Sequence, residues 1–391
     1  MALILPQIKA PDIPRTASKV MVWNGPSNRH QKCLTWSLGE APQRKDRSME
    51  KIITVGLDLA RSIFQVHGIA ENGEVLVRRT LRRSQVLPFF RGLPACLVGM
   101  EACASAHHWA REIAALGHSV CMMPPAYVKP YVKRNKTDMA DAEAICEAVT
   151  RPTMRFVPVK TVEQQAAGMI LRTREMLMKQ RSQTANALRA HMAELGIIAG
   201  TGMASIAKLL VLLRDERDNR IPGAARFALI QFAEQIELLT TRIEKLDREI
   251  MVVVRKDPDA RRLMSIPGVG PLIAATVRTS VLDPRGFATA RDFAAWTGLT
   301  PRARSSGGKE RLGAISKRGN RQLRTLLIVG ATSIIKLAKR GLKVPLWVRT
   351  MLQRRPVKVV SVALANKIAR TIWALLVRGG IYQPPAAMLK S

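Results

Sequence analysis

The sequence predicts a mixed α/β domain followed by two mainly helical segments. Three strand-like runs with a hairpin turn come first, and after them apolar strands alternate with helical stretches up to about residue 125. From residue 162 to residue 195 glycine is rare, and Leu, Met, Ala, Arg and Gln dominate, which is typical of a long helix. A strand hairpin followed by alternating strands and helices is the pattern of a mixed sheet.

The elements are predicted in this order. Residues 1–50 are rich in Pro, Ser, Asn and basic residues and are expected to form a flexible extension. The Asn72-Gly73 pair is a strong hairpin signal between the second and third strands. The predicted strands are 52–57, 64–69, 74–81, 96–100 and 118–123.

A heptad pattern marks the middle of the chain. Its apolar positions are Leu229, Phe232, Ile236, Leu239, Ile243, Leu246 and Ile250. Leu or Ile at the a positions with mostly Leu at the d positions favours two-stranded pairing. The pattern therefore predicts a coiled-coil arm that joins protomers, while packing of the same helix within its own domain stays open.

The charge balance restricts the class of partner. The 391 residues include 63 Lys+Arg and 29 Asp+Glu, a formal net charge of +34, and 47% are apolar. An apolar fraction of this size forms real cores, so the chain is not a disordered basic tail. No acidic residue follows Glu310, whereas 17 Lys or Arg lie between residues 311 and 390. Such like charges repel unless a polyanion neutralises them, and we expect nucleic acid, held mainly through its phosphates.

Cysteine usage and hydropathy exclude other classes of protein. The five cysteines include no Cys-x-x-Cys pair, so neither a disulfide framework nor a cysteine-rich zinc site is expected, and the compartment is that of a reducing cytosol. The longest apolar run, around residues 325–335, falls short of the roughly 18 residues of a membrane span. The N-terminus lacks a charged region followed by a long apolar region, so no signal peptide is expected. We expect a cytoplasmic protein without a membrane partner.

Four carboxylates form the first candidate site. Asp58 closes the first strand and Glu101 the fourth, whereas Asp138 and Asp141 share one helix face behind Thr137, a suitable N-cap. Carboxylates gathered at strand ends make a hard oxygen site for Mg²⁺, and two such ions would activate and orient an in-line attack on phosphate. Taken singly, Asp58 is more typical of a turn residue and Asp138 of a helix start. The ordered set in a basic chain favours the metal site.

The C-terminal segment contains the second candidate site. Residues 266–271, Ile-Pro-Gly-Val-Gly-Pro, resemble the hairpin of helix-hairpin-helix modules, in which backbone amides approach phosphate, but they also suit an ordinary turn. Ser305 and Ser306 precede two glycines, and the residues alone favour a phosphate-binding loop without a covalent role. The basic residues expected to contact nucleic acid are Arg302, Arg304, Lys309, Arg311, Lys317, Arg318, Arg321 and Arg324.

The order of the four carboxylates and several short motifs resemble those of a known family. The order Asp58, Glu101, Asp138, Asp141 in a hairpin-led α/β domain is similar to the RuvC-like domain of the DEDD-type insertion-sequence transposases. Residues 136–142 resemble that family's helix motif, and residues 180–196 resemble its helical linker, with Ser182 where Thr is expected. The stretches 266–270, 298–301, 305–308 and 316–320 resemble its C-terminal transposase domain. The resemblance covers roughly residues 51–378.

The resemblance implies an α/β plus α architecture. The expected parts are the extension 1–50, a RuvC-like or RNase H-like mixed-sheet domain 51–158, a helical linker and coiled coil 159–258, and a mainly helical transposase domain 259–391. It also implies an enzyme that cuts and rejoins DNA through a covalent serine–DNA intermediate, beside a Mg²⁺ site. The family places its nucleophile in the Ser-Gly segment, and Ser305 is preferred because the position of Ser306 admits Thr in relatives.

The resemblance extends to partners. It implies donor and target DNA, an element-encoded guide RNA, a homo-oligomer that is a dimer or a tetramer, and a cytoplasmic location at the nucleoid. Two alternatives stay open: a structure-specific nuclease of RuvC type in which the serines only bind phosphate, and a nucleic-acid-binding protein that has lost catalysis. The intact carboxylates argue against the second.

Overall fold

The computed structural model describes residues 51–133, 137–304, 311–338, 340–341 and 344–383. The predicted extension 1–50 lies outside these residues. The N-terminal sheet contains β1 (Thr54–Leu59), β2 (Ile63–Ile69), β3 (Val75–Arg82), β4 (Leu97–Glu101) and β5 (Ser119–Met123). All five predicted strands are confirmed, and their ends differ from the prediction by no more than about two residues.

The sheet is mixed, with the strand order β3-β2-β1-β4-β5. The first three strands form an antiparallel meander, and β4 and β5 run parallel to β1. The predicted turn joins β2 to β3: Gly73 has a φ of +82°, and the amide of Glu74 donates to Asn72 Oδ1 at 2.8 Å. This arrangement is consistent with an RNase H-like domain.

The helices follow the strands along the chain. They are α1 (Val86–Arg91), α2 (Ala106–Ala114), α3 (Pro125–Val128), α4 (Asp138–Val149), α5 (Val162–Glu194), α6 (Met203–Arg214), α7 (Gly223–Lys256), α8 (Pro258–Leu263), α9 (Pro271–Ser280), α10 (Ala290–Trp296), α11 (Arg321–Ala338), α12 (Leu346–Arg354) and α13 (Val357–Arg378). A short antiparallel ribbon, β6 (Pro301–Ala303) with β7 (Leu312–Ile315), lies between α10 and α11.

The two faces of the sheet differ in chemistry. On one face Leu57 and Phe64 pack with Phe90 of α1 and Trp109 of α2 in a fully apolar core. Because side chains alternate along a strand, the residues between these core positions point to the other face. That face is covered by α4.

Two glycines let α4 lie directly on the backbone of the sheet. A Cβ atom added to Gly56 of β1 would lie 2.5 Å from the amide nitrogen of Cys146, and one added to Gly99 of β4 would lie 2.8 Å from Cβ of Val149. No side chain fits between helix and strands at these points. The Cys146 thiol is buried in this contact, and burial raises its pKa to about 12.

The heptad seam packs inside the chain. Helices α5 and α7 run antiparallel: Arg174 forms an ion pair with Asp247, and Arg181 Nη1 donates to Thr240 Oγ1 at 3.2 Å. The seam residues Leu229, Ile236, Leu239, Ile243 and Ile250 are buried within this chain. The prediction that they join two protomers is therefore wrong, because α5 already covers the face that a partner helix would need.

The C-terminal part has a core of its own, which is formed by helices. It is built mainly from α9, α10, α11 and α13. Among the described residues α13 alone is long and apolar enough to suit a membrane span, although no such run was expected from the sequence. Its buried residues, including Leu364, Ile368 and Ile372, pack in this core. Core packing therefore explains its hydropathy.

We predict that Gly56→Ala destabilises the N-terminal domain. The added methyl group has no space under α4, and such overpacking costs about 1–3 kcal/mol of the free energy of unfolding. Gly92→Ala is the matched control, because its Cβ would be 3.5 Å from its nearest neighbour and its φ of −81° suits alanine. Thermal unfolding measures both. Equal melting temperatures for the two variants would contradict the close contact.

Candidate active site

Three of the four predicted carboxylates meet at one edge of the sheet. Asp58 lies near the end of β1, and Asp138 and Asp141 lie in the first turn of α4. One carboxylate oxygen from each residue lies within 4.8 Å of the others. Asp58 and Asp141 are half-buried and Asp138 is exposed. We call these three residues the carboxylate cluster.

The cluster depends on how α4 begins. Thr137 is the N-cap, and its hydroxyl accepts from the amide of Ala140 at 3.3 Å, as predicted. The partial positive charge of a helix N-terminus favours carboxylates in the first turn. The contact of α4 with Gly56 then brings this turn next to the end of β1, because Asp58 follows Gly56 by two residues on the same face of the strand.

Glu101 lies at the same edge but not in the cluster. Because β4 runs parallel to β1 with Met100 opposite Leu57, Glu101 follows at the position beside Asp58. Its side chain is half-buried. It is not one of the residues whose oxygens meet within 4.8 Å. Its role as a fourth metal ligand therefore stays a prediction.

Another carboxylate of α4, that of Glu143, is paired with basic side chains. Glu143 accepts a hydrogen bond from Lys133 Nζ at 2.9 Å and lies 3.7 Å from Arg78 Nη2. The hydrogen bond from Lys133 lowers the pKa of Glu143. Buried His67, opposite Gly56 on β2, lies close enough to Glu143 to feel its charge, and burial lowers the pKa of this imidazole. Neither Glu143 nor His67 was expected from the sequence, because the packing of α4 on β2 brings together residues that are far apart along the chain.

The cluster fits a divalent cation by its donor chemistry. It offers carboxylate oxygens only, and hard cations such as Mg²⁺ prefer oxygen ligands. A cation would also offset the repulsion between three carboxylates held this close. The grouping thus supports a centre for a divalent metal.

The C-terminal glycine motifs form an interlocked junction. A Cβ atom on Gly298 would lie 2.9 Å from the amide nitrogen of Arg318, and Gly319 lies against the backbone of Trp296. Arg324 Nη1 donates to the carbonyl oxygens of Thr297 and Arg318, both at 3.0 Å. The junction joins the end of α10 to the start of α11, and backbone hydrogen bonds from Ser316 to Thr300 and from Lys317 to Gly298 connect it with the ends of the β6–β7 ribbon.

Arg324 is therefore removed from the expected nucleic-acid contacts. Only 8% of its surface is exposed, and its guanidinium is engaged by backbone carbonyls within the junction. Burial lowers its pKa. In the sequence, an arginine within a basic run resembles a phosphate ligand. Only the fold shows that Arg324 instead binds backbone carbonyl groups of the junction.

The other described basic residues of the prediction are exposed on the ribbon and the residues next to it, on the following loop, and at the start of α11. They are Arg302, Arg304, Arg311, Lys317, Arg318 and Arg321. The amide of Arg304 donates to the carbonyl of Arg311 at 2.8 Å, so the two residues that flank the segment 305–310 are paired. Ser305, Ser306 and Lys309 belong to that segment, which lies outside the described residues.

The Pro-Gly-Val-Gly stretch packs against a helix. A Cβ atom on Gly268 would lie 2.7 Å from Cδ1 of Ile334 and 3.0 Å from the carbonyl oxygen of Gly330, both in α11. The φ of Gly268 is +82°, which also favours glycine. Close packing on α11 thus accounts for this glycine without a phosphate.

Comparison with known proteins identifies the class of enzyme. The pattern of the IS116/IS110/IS902 transposase family matches residues 260–343, and that of the IS110-type DEDD transposases matches residues 55–197. A probable family 20 transposase of Pseudomonas aeruginosa is 48% identical over 84% of this chain and 98% of its own length. The transposase of insertion sequence IS1111A from Coxiella burnetii is 39% identical, covering 87% and 94%. These similarities define a transposase, a DNA-processing enzyme.

The family follows from the extent of the match. A putative transposase of Sinorhizobium fredii, y4pF/y4sB, is 43% identical over 91% of this chain and 92% of its own length. The chain belongs to the IS110/IS116 family of DEDD transposases. The resemblance stated from the sequence motifs is confirmed, and the substrate of this class of enzyme is DNA.

We predict that Asp141→Asn weakens binding of Mn²⁺ by at least tenfold, because it removes one charged ligand from the carboxylate cluster. Glu143→Gln is the matched control on the same helix, since its carboxylate pairs with Lys133 and not with the cluster. Isothermal titration calorimetry measures both variants. Equal weakening in the two would show that the metal responds to the general charge of α4 rather than to the cluster.

Proposed function

We propose that this transposase cuts and rejoins DNA strands at a RuvC-like Mg²⁺ centre held by Asp58, Asp138 and Asp141, with Glu101 at the adjacent strand end. The observation that carries the proposal is the meeting of the three aspartates at one sheet edge in a chain of net charge +34. Bound Mg²⁺ would stabilise negative charge on the phosphate under attack. The protein's own part is to position the carboxylates through α4 and to attract DNA to this edge.

The proposed nucleophile is a serine of the segment 305–310, Ser305 in preference to Ser306. The hydroxyl oxygen would form a bond to the DNA phosphorus, and one bond from that phosphorus to a deoxyribose oxygen would break. The proton lost by the serine would end on the departing oxygen, which is released as a deoxyribose hydroxyl. Attack by the released deoxyribose hydroxyl of a second strand would reverse the step and restore the serine. Arg302, Arg304 and Arg311 support this role, because they supply positive charge on both sides of the segment.

Recognition of an element-encoded guide RNA and assembly into a dimer or tetramer belong to the same proposal. The excess of basic residues suits more than one nucleic-acid strand, and strand exchange requires two DNA duplexes at once. Since α5 covers the heptad seam, the proposed assembly uses another surface. A cytoplasmic location at the nucleoid follows from a chromosomal substrate.

A structure-specific nuclease is the second candidate. The carboxylate cluster forms without any residue of the segment 305–310, so hydrolysis by water at the same centre needs no serine. The two candidates differ in one product: only the serine mechanism joins protein covalently to DNA.

We predict that Asp58→Asn abolishes strand exchange while DNA affinity stays within about threefold of the wild type. The substitution removes a metal-ligating charge and leaves the basic surfaces intact. An in vitro recombination assay and a gel-shift titration, run on the same preparation, measure the two properties. Undiminished recombination in this variant would contradict the proposed centre.

We predict that protein trapped on nicked DNA carries a nucleotide adduct on Ser305. Mass spectrometry of the peptide that spans residues 305–310 locates it, and Ser305→Ala and Ser306→Ala are compared. Loss of the adduct in Ser305→Ala alone fits the preferred assignment, and loss in Ser306→Ala alone moves the role by one residue. An adduct absent from the wild type, with cleavage intact, would establish the nuclease instead.

A further inference from the structure

A second polar feature occupies the same rim of the sheet as the carboxylate cluster. It is a cleft open to solvent, and we call it the rim cleft. Its walls are Ser62, Ile63, Arg82, Arg83, Ser84 and Trp109. None of these residues is acidic, and together they offer two guanidinium groups and two hydroxyls. Guanidinium forks and hydroxyl donors are the groups that bind phosphate oxygens in proteins.

The arginine at the centre of the rim cleft is held in place. The guanidinium of Arg83 lies over the indole ring of Trp109, 5.0 Å from its centroid, as in a cation–π contact. The ring of Trp109 packs in turn against that of Phe64 in a T-shaped pair, with 5.1 Å between the ring centroids, and Trp109 is only 3% exposed. Because the ring face is covered, the cleft suits a phosphate rather than a stacked base. The amide of Arg83 donates to the carbonyl of Ser62, which closes the base of the cleft.

The charge of the rim cleft is uncompensated within the part of the chain that the structure describes. The ion pairs found there involve neither Arg82 nor Arg83, whereas nearby Arg78 faces Glu143. Trp109 Nε1 is buried without a hydrogen-bond partner among the same residues. Two adjacent arginines without an acidic partner favour binding of an anion.

Strand register gives the distance between the rim cleft and the carboxylate cluster. Asp58 pairs with Gln65 on β2, and Ile63, two residues earlier on β2, pairs with Arg82. Two residues along a strand span roughly 7 Å, and β3 lies two strand spacings of about 4.8 Å from β1, so the cleft's arginines lie roughly 12 Å from the cluster. Successive nucleotides of one DNA strand are spaced by about 3.4 Å along the helix axis. A strand that crosses the rim thus reaches the cleft about three to four nucleotides from the cluster.

We propose that the rim cleft binds a phosphodiester of the DNA strand that is cut at the carboxylate cluster, and so sets the position of that strand. This inference rests on the proposed function, since it assumes that the cluster is where DNA is processed. Arg83 is a positioning residue in this role: it contacts the strand a few nucleotides from the reacting phosphate and takes no part in bond cleavage.

The test compares arginines of the same domain in the full chain carrying Asp58→Asn, so that the DNA stays intact. Arg83→Ala and Arg82→Ala/Arg83→Ala remove the rim cleft's charge, Arg83→Lys keeps the charge without the guanidinium fork, and Arg91→Ala is the control at an exposed arginine of α1. Fluorescence anisotropy with a labelled single-stranded DNA oligonucleotide gives affinity as a function of salt.

We expect Arg83→Ala to weaken DNA binding roughly tenfold and to reduce the salt slope by about 1, with a further decrease of about 1 in the double variant. Arg83→Lys should recover the salt slope but not the full affinity, and Arg91→Ala should stay within twofold. Equal losses in Arg83→Ala and Arg91→Ala, or weakening only for RNA of the same sequence, would overturn the proposal. If Arg83→Ala does not fold, the comparison of Arg83→Lys with Arg91→Ala decides.

The two proposals fail separately. Loss of strand exchange in Asp58→Asn against the wild type reports on the carboxylate cluster. The difference in affinity between the arginine variants, all measured without cleavage, reports on the rim cleft alone.

Discussion

The contact of α4 with the backbone of β1 and β4 is the constraint on which the candidate site depends. The contact needs two glycines, because Gly56 and Gly99 leave no room for a Cβ atom beneath the helix. It fixes the first turn of α4 beside the end of β1, where Asp58 meets Asp138 and Asp141. The opposite face of the sheet packs large apolar side chains against α1 and α2 instead. The face under α4 therefore combines packing with the positioning of the site, because the helix also contributes a buried apolar cluster of its own.

The same device recurs in the C-terminal part. Gly298 and Gly319 let two loops interlock, and the buried guanidinium of Arg324 joins their carbonyl groups. The ribbon that carries Arg302, Arg304 and Arg311 stands on this junction. In both parts of the chain, therefore, glycines allow close backbone contacts, and these contacts determine where the charged side chains lie. Backbone close approach, more than side-chain packing, organises the functional surfaces.

The sequence predicted those features that depend on local pattern. The five strands, the Asn72-Gly73 turn and the Thr137 cap were recovered because alternation, turn chemistry and capping act over a few residues. The pairing partner of the heptad helix was not predicted correctly, because an apolar seam has the same sequence pattern whether its partner helix belongs to the same chain or to another. Likewise the role of Arg324 and the meeting of Arg83 with Trp109 depend on contacts between distant segments, for which one sequence carries no signal.

The central claim is that the carboxylate cluster is a metal centre. Anomalous diffraction from crystals of the wild-type chain grown with Mn²⁺ tests it most directly. The account predicts an anomalous peak coordinated by at least two of Asp58, Asp138 and Asp141, and no such peak in crystals of Asp58→Asn grown in the same way. A peak bound elsewhere on the chain, with the cluster free of metal at saturating Mn²⁺, would contradict it.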